Sequence, residues 1–203
     1  MKEIMDGYVG VKFKTILLDP EVSFNIEEIF SVFQKNCNLL KRHGMTPQNA
    51  GNISIRHNRG LIITTSGSNL GSLERNEIVY VRKCSVEESV VEYMGSNVPS
   101  SEAFMHSMIY QCRADVQAIV HVHDHETLNQ ATIELKATER EAPYGTLELA
   151  GMACDTFLKA EDIIVLKNHG YVAVGVDLNK AVDLIISTHL KIKKKGVDYI
   201  TSQ

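Results

Sequence analysis

Apolar positions recur along this chain with two periods, and the switches between them mark out its elements. From Ser23 the spacing is helical, with Ile29, Phe33, Cys37 and Leu40 on one face. Ser23 or Asn25 can cap that helix, and Glu27 and Glu28 suit its positive end. Lys41, Arg42 and His43 load its other end, and Gly44 stops it. The pattern then alternates. Residues 53–56 read as a strand, 57–60 as a turn and 61–64 as the hairpin partner. Residues 78–81 and 90–93 read as a second strand pair. Pro99 closes that stretch, and Ser100, Ser101 and Glu102 open a helix to about residue 111, with Phe104, Met105, Met108 and Ile109 as its apolar set. Residues 118–123 are a buried-strand run ending in histidines. Residues 146–159 read as a helix, 163–166 as a strand, and 171–174 as its partner across Asn168-His169-Gly170. Asp177 caps a last helix to about residue 194.

Strands and helices mix without strict β-α-β alternation. This predicts an α/β fold of three layers, a central and mainly antiparallel sheet flanked by helices. Residues 1–22 show no clear period and are expected to be an arm against the body or a neighbouring subunit. Residues 23–203 are expected to form one domain.

Composition narrows the partners. The chain is 44% apolar, enough for a real core, and carries a net charge of −4 with acids and bases interspersed. A nucleic-acid surface would need a basic stripe. Lys191, Lys193, Lys194 and Lys195 read instead as the solvated end of a helix. No run approaches the roughly 18 apolar residues that span a bilayer. Lys2, Glu3 and Asp6 are followed by no apolar signal segment, so the expected location is the cytoplasm. Cys37, Cys84, Cys112 and Cys154 form no CxxC pair and are expected to be unpaired thiols.

His121 and His123 share one side of a strand, because side chains repeat every second residue. Two such imidazoles fit a half-exposed strand face, or a pair of neutral ligands sharing a divalent cation. His169, at a hairpin tip, could close a three-histidine site with positions left for substrate. His125 could be a fourth ligand or lie in a loop past the strand. His43, His57, His106 and His189 read as ordinary surface or packing residues. The helix start at Ser100-Ser101-Glu102 is also a natural anion site, which Gly51-Asn52 and Thr65-Ser66-Gly67 could join.

Six stretches together resemble the class II aldolase/adducin-head family: Gly51-Asn52-Ile53-Ser54, Ile62-Ile63-Thr64-Thr65-Ser66-Gly67, Pro99-Ser100-Ser101-Glu102, Val120-His121-Val122-His123, Ala142-Pro143-Tyr144-Gly145-Thr146 and Asn168-His169-Gly170. They occur in family order over roughly residues 25–190. The resemblance implies fourfold-symmetric homotetramers with active sites between subunits. It implies one metal per chain, Zn2+ or else Mn2+, Fe2+ or Co2+, on His121, His123 and His169. It implies a substrate-phosphate cradle of Asn52, Ser66, Gly67, Ser100 and Ser101, with Glu102 as general acid/base. The implied reaction is cleavage of a ketose 1-phosphate to dihydroxyacetone phosphate and an aldehyde through a metal-stabilised enediolate. Dehydration, decarboxylation or 4-epimerisation on the same site, or a non-catalytic interaction domain, are the alternatives.

The chain also departs from the family pattern. Only 19 residues separate His123 from Pro143, with no tyrosine among them. Tyr144 and Tyr199 are the candidates for the missing proton-transfer tyrosine. The chain ends soon after its last helix, so a catalytic tail is expected to be short or absent.

Overall fold

The computed structural model describes residues 13–160 and 162–201, with side chains as far as residue 195. Eight strands form one sheet. In chain order they are β1 (Lys14–Asp19), β2 (Asn52–His57), β3 (Gly60–Thr64), β4 (Ile78–Ser85), β5 (Val90–Met94), β6 (Ala118–Val122), β7 (Ile163–Leu166) and β8 (Gly170–Gly175). Their spatial order is β1-β5-β4-β3-β2-β6-β8-β7. Every neighbouring pair is antiparallel except β1 with β5. The helices are α1 (Ile26–Arg42), α2 (Ala103–Cys112), α3 (Leu128–Glu134), α4 (Leu147–Phe157) and α5 (Leu178–Thr201).

Strand periodicity divides the interior into two cores. Ile62, Val120, Tyr171 and Ala173 pack on one face with Phe33, Leu40, Leu128 and Val182, from α1, α3 and α5. Ile63, Ile119, Val172 and Val174 pack on the other with Phe104, Ile109, Leu149 and Phe157, from α2 and α4. The fold is therefore the expected α/β sandwich of three layers, with a mainly antiparallel sheet in the middle.

The element ends follow local chemistry. Asn25, not Ser23, caps α1, its side chain accepting from the Glu28 N–H. Beyond the helix, the Gly44 N–H donates to the Lys41 carbonyl and the Met45 N–H to the Leu40 carbonyl, with Gly44 at φ +73°. Asp177 accepts from the Lys180 N–H at 2.8 Å, ahead of α5. Strand β1 and helix α3 carry no periodic apolar pattern and were not expected. Residues 14–19 of the expected arm are thus an edge strand of the sheet; residues 1–12 lie outside the described residues. No helix among the described residues is long and apolar enough to cross a membrane.

The cysteines differ from expectation. Cys112 at the end of α2 and Cys154 on α4 are joined in a disulfide, with Cα atoms 6.3 Å apart. The two helices pack against each other, which a gap of 42 residues in sequence gives no means of foreseeing. Cys37 and Cys84 are free.

Candidate metal centre

Four chain segments meet at one end of the sheet. β2 and β6 run antiparallel with Asn52 opposite His121, which places the start of one strand beside the end of the other. His121 has the parity of Ile119 and faces the α2 side, while Val120 and Val122 face away. His123 lies just past the end of β6, and His169 sits in the tight β7–β8 turn, where Leu166 pairs with Gly170. Two glycines let the neighbouring backbones close on this strand. A Cβ on Gly51 would lie 2.6 Å from the His121 carbonyl oxygen. One on Gly170 would lie 2.3 Å from the Val122 carbonyl oxygen and 3.2 Å from His121 Cε1.

The three histidines converge. Their ligand atoms all lie within 4.8 Å of one another, and the His121 and His123 Nε2 atoms are 3.0 Å apart. The His169 ring centroid lies 4.8 Å from that of His121 and 4.6 Å from that of His123. His121 Nδ1 sits 2.8 Å from the Tyr171 carbonyl oxygen, an acceptor only. Nδ1 therefore carries the proton, and Nε2 turns a bare lone pair toward the other two rings. Burial, followed by the charge His169 would carry, lowers His121 to about 3. Burial, followed by His121 and His169, lowers His123 to about 2. Both rings are neutral at neutral pH. Neutral imidazoles with convergent lone pairs are the donor set a divalent ion such as Zn2+ takes.

Glu102 closes the group. Its Oε2 is 3.2 Å from His121 Nε2, and its Oε1 is 3.9 Å from His169 Nε2. The carboxyl is buried, and Oε2 accepts from Asn52 Nδ2 at 2.8 Å. The other segments expected to hold phosphate lie side by side. The Ser66 N–H donates to the Val98 carbonyl at 2.9 Å, the Ser100 N–H donates to the Thr64 carbonyl at 3.0 Å, and Thr65 bridges Pro99. Gly67 is exposed in a left-handed conformation, with nothing within 4 Å of where a Cβ would stand. Ser100 and Ser101 are buried at the entry to α2, and the Ser100 hydroxyl accepts from the Glu102 N–H at 3.3 Å. Asn52 is drawn to the carboxylate, with its own Oδ1 buried and without a hydrogen-bond partner.

His125 lies in an exposed turn, its ring 6.2 Å from that of His123 and outside the cluster. Tyr144 packs, half-buried, against the α2–α4 core, and the Tyr199 side chain lies outside the described residues.

Two of the histidines read as surface or packing residues are buried. His106 is fully buried, its Nδ1 2.7 Å from Ser54 Oγ. It lies four residues after Glu102, and Ser54 lies two after Asn52, so helix and strand periods could have flagged the pairing. His189 is buried against Asp124, Nδ1 to Oδ2 at 2.6 Å, and Asp124 also accepts from Thr127 Oγ1. Its partner lies 65 residues away, with no local signal.

Residues 32–190 match the family described as Class II Aldolase and Adducin N-terminal domain. The L-fuculose phosphate aldolase of Methanocaldococcus jannaschii is 32% identical over 159 residues, 72% of this chain and 83% of that protein. The 5-methylthioribulose-1-phosphate/5-deoxyribulose-1-phosphate aldolase of Rhodospirillum rubrum is 30% identical over 159 residues, 70% of this chain and 69% of that protein. A solved L-fuculose 1-phosphate aldolase superposes with a TM-score of 0.73 at 23% identity, covering 89% of this chain and 90% of that one. With the matched span covering strands β2 to β8, the histidine cluster and Glu102, the chain belongs to the class II aldolase and adducin N-terminal domain family.

Proposed function

We propose that this chain is a divalent-metal aldehyde-lyase that cleaves a ketose 1-phosphate to dihydroxyacetone phosphate and an aldehyde. The observation that carries this reading is the meeting of three imidazoles with a buried carboxylate 3.2 Å and 3.9 Å from two of them. His121, His123 and His169 are the ligands of one ion per chain, Zn2+ or another of Mn2+, Fe2+ and Co2+. Once bound, the ion supplies Lewis-acid polarisation of the substrate carbonyl and its neighbouring hydroxyl. Ser66, Gly67, Ser100 and Ser101 hold the phosphate, with Asn52 between phosphate and carboxylate. As the bond between the third and fourth carbons breaks, the hydroxyl on the fourth carbon gives up its proton to solvent and becomes the aldehyde carbonyl, the electron pair stays on the phosphorylated half, and Glu102 gives a proton to that carbon. In the reverse addition Glu102 removes it. Two relatives named as aldolases of phosphorylated ketoses support the substrate class.

The same reading places the enzyme in the cytoplasm as a homotetramer. Reducing conditions there would hold Cys112 and Cys154 as thiols. Cys112 lies at the far end of α2 from Glu102, about 15 Å away at the helical rise, so turnover should not change with dithiothreitol.

Elemental analysis with native mass should find one metal per chain in a tetramer. A panel of ketose 1-phosphates should release dihydroxyacetone phosphate, and chelator should abolish the release. A second reading keeps the site but changes the reaction to dehydration, decarboxylation or 4-epimerisation. The segment between His123 and Pro143, which lacks a tyrosine, favours keeping it. Water loss, CO2 release or epimer formation on the same panel, without free aldehyde, would select it.

A further inference from the structure

A polar seam runs between β2 and α2. Asn52, Ser54 and Arg56 share one side of the strand, and Glu102, His106 and Tyr110 follow at helical intervals of four. Asn52 Nδ2 donates to Glu102 Oε2 at 2.8 Å, Ser54 Oγ lies 2.7 Å from His106 Nδ1 and 2.9 Å from the Tyr110 hydroxyl, and Arg56 Nη2 donates to the Tyr110 carbonyl at 2.8 Å. Ser54 and His106 are completely buried. Apolar side chains would fill such positions at less cost in desolvation, so their polarity calls for a use.

Partners and the nearby charge together place the hydrogens. If Tyr110 donates to Ser54, the serine hydrogen goes to His106 Nδ1, and both hydroxyl hydrogens are placed. Either order leaves one buried hydrogen unpaired: this one leaves the Nε2–H near the charge of Glu102, whereas the opposite order leaves the phenolic hydrogen and turns an Nε2 lone pair toward that charge. Donation into Nδ1 puts the single proton of the neutral ring on Nε2. That nitrogen is buried without a hydrogen-bond partner, one helical turn behind Glu102, whose Oε1 is likewise buried and without one. The ring and the carboxylate are near enough for the charge of Glu102 to act on the imidazole.

We propose that His106, locked as the Nε2–H form by the Tyr110–Ser54 chain, is a positioning residue for Glu102, setting an N–H dipole behind the carboxylate that moves the proton. The inference rests on the acid/base role given to Glu102 above. His106 touches neither substrate nor metal; it acts through Glu102.

Two measurements decide it. Long-range 15N–1H correlation spectra of histidine-labelled protein read the tautomer without any turnover. Nε2–H is expected for His106, with a mixture of forms in Ser54→Ala; Nδ1–H in the wild type would overturn the proposal. In steady state, His106→Leu should lower kcat by about 10- to 100-fold with KM and metal content held, and His106→Gln, which retains an N–H donor, should recover most of it. A His106→Leu kcat equal to wild type, or an equal loss in the Leu and Gln variants, would overturn it. If His106→Leu does not fold, Ser54→Ala should show a smaller kcat loss with unchanged KM, and an unchanged kcat would count against the proposal. Should the wild type turn over no phosphorylated ketose, the role of Glu102 fails separately, and the tautomer still decides the state of His106.

Discussion

Replacing Gly170 with alanine adds one methyl group where the backbone leaves no room. Its Cβ would stand 2.3 Å from the Val122 carbonyl oxygen, about 1 Å inside ordinary contact, and 3.2 Å from His121 Cε1. Neither side yields easily. β8 is paired on one edge to β6, with Tyr171 opposite Val122, and on the other to β7. Overpacking of this kind costs about 1–3 kcal/mol, and a backbone neighbour puts Gly170→Ala at the upper end. For a chain of this length that is a Tm lowered by about 5–10 °C. The same shift turns the His121 ring, so affinity for Zn2+ should fall about 10-fold or more. Calorimetry with and without stoichiometric zinc, and metal retained against a competing chelator, read the two effects. Gly151→Ala is the control: it lies within α4 with nothing within 4 Å of the new methyl, and should stabilise by about 0.5–1 kcal/mol. A Gly170→Ala protein that melts with the wild type and keeps its zinc would refute the reasoning.

Other outcomes follow from the same geometry. Glu102→Gln should keep its metal while kcat falls by about 100-fold or more, since an amide cannot carry the proton; full turnover in a metal-loaded Glu102→Gln protein removes the acid/base assignment. His169→Ala should drop metal content well below one per chain and leave the fold intact, as read by elemental analysis and circular dichroism, because the residue occupies a turn and not a core. His189→Ala leaves Asp124 buried without its ring partner and should lower stability by about 3 kcal/mol, measured by urea unfolding. Acid should unfold the metal-free protein early. Burial depresses His106 and His121 to about 3 and His123 to about 2, whereas unfolded histidines titrate near 6.5. The unfolded state then binds more protons, so stability is full above about pH 6.5 and is lost as pH falls toward the folded values; a urea midpoint unchanged between pH 7.5 and pH 5 would contradict this.

What the sequence could reveal depended on range. Caps and periods are local, so Asn25, Gly44 and Asp177 mark helix ends that the structure keeps, and the two hairpins lie where their turns predict. His121 and His123 declare their shared side within three residues. His169 joined them on the resemblance and on its hairpin position, and the fold brings it within reach. The misses are long-range or aperiodic. β1 is mostly exposed along its length and pairs with a strand far along the chain. α3 has only seven residues. The bond from the Asn52 amide to Glu102 joins residues 50 apart and has no local signal either. Cys112 and Cys154 meet only because α2 and α4 pack together.

The parallel edge of the sheet has a bearing on how the chain assembles. Among the described residues β1 is held to the sheet only by β5, so the register of residues 14–19 depends on the hairpin over residues 78–94. Loop closure over such a separation is slow relative to the hairpins between. The edge should therefore dock last and open first, with its amides exchanging through partial unfolding. β6, flanked on both sides by β2 and β8, exchanges only when the whole domain opens, and the imidazole-bearing strand thus sits in the most durable unit of the molecule.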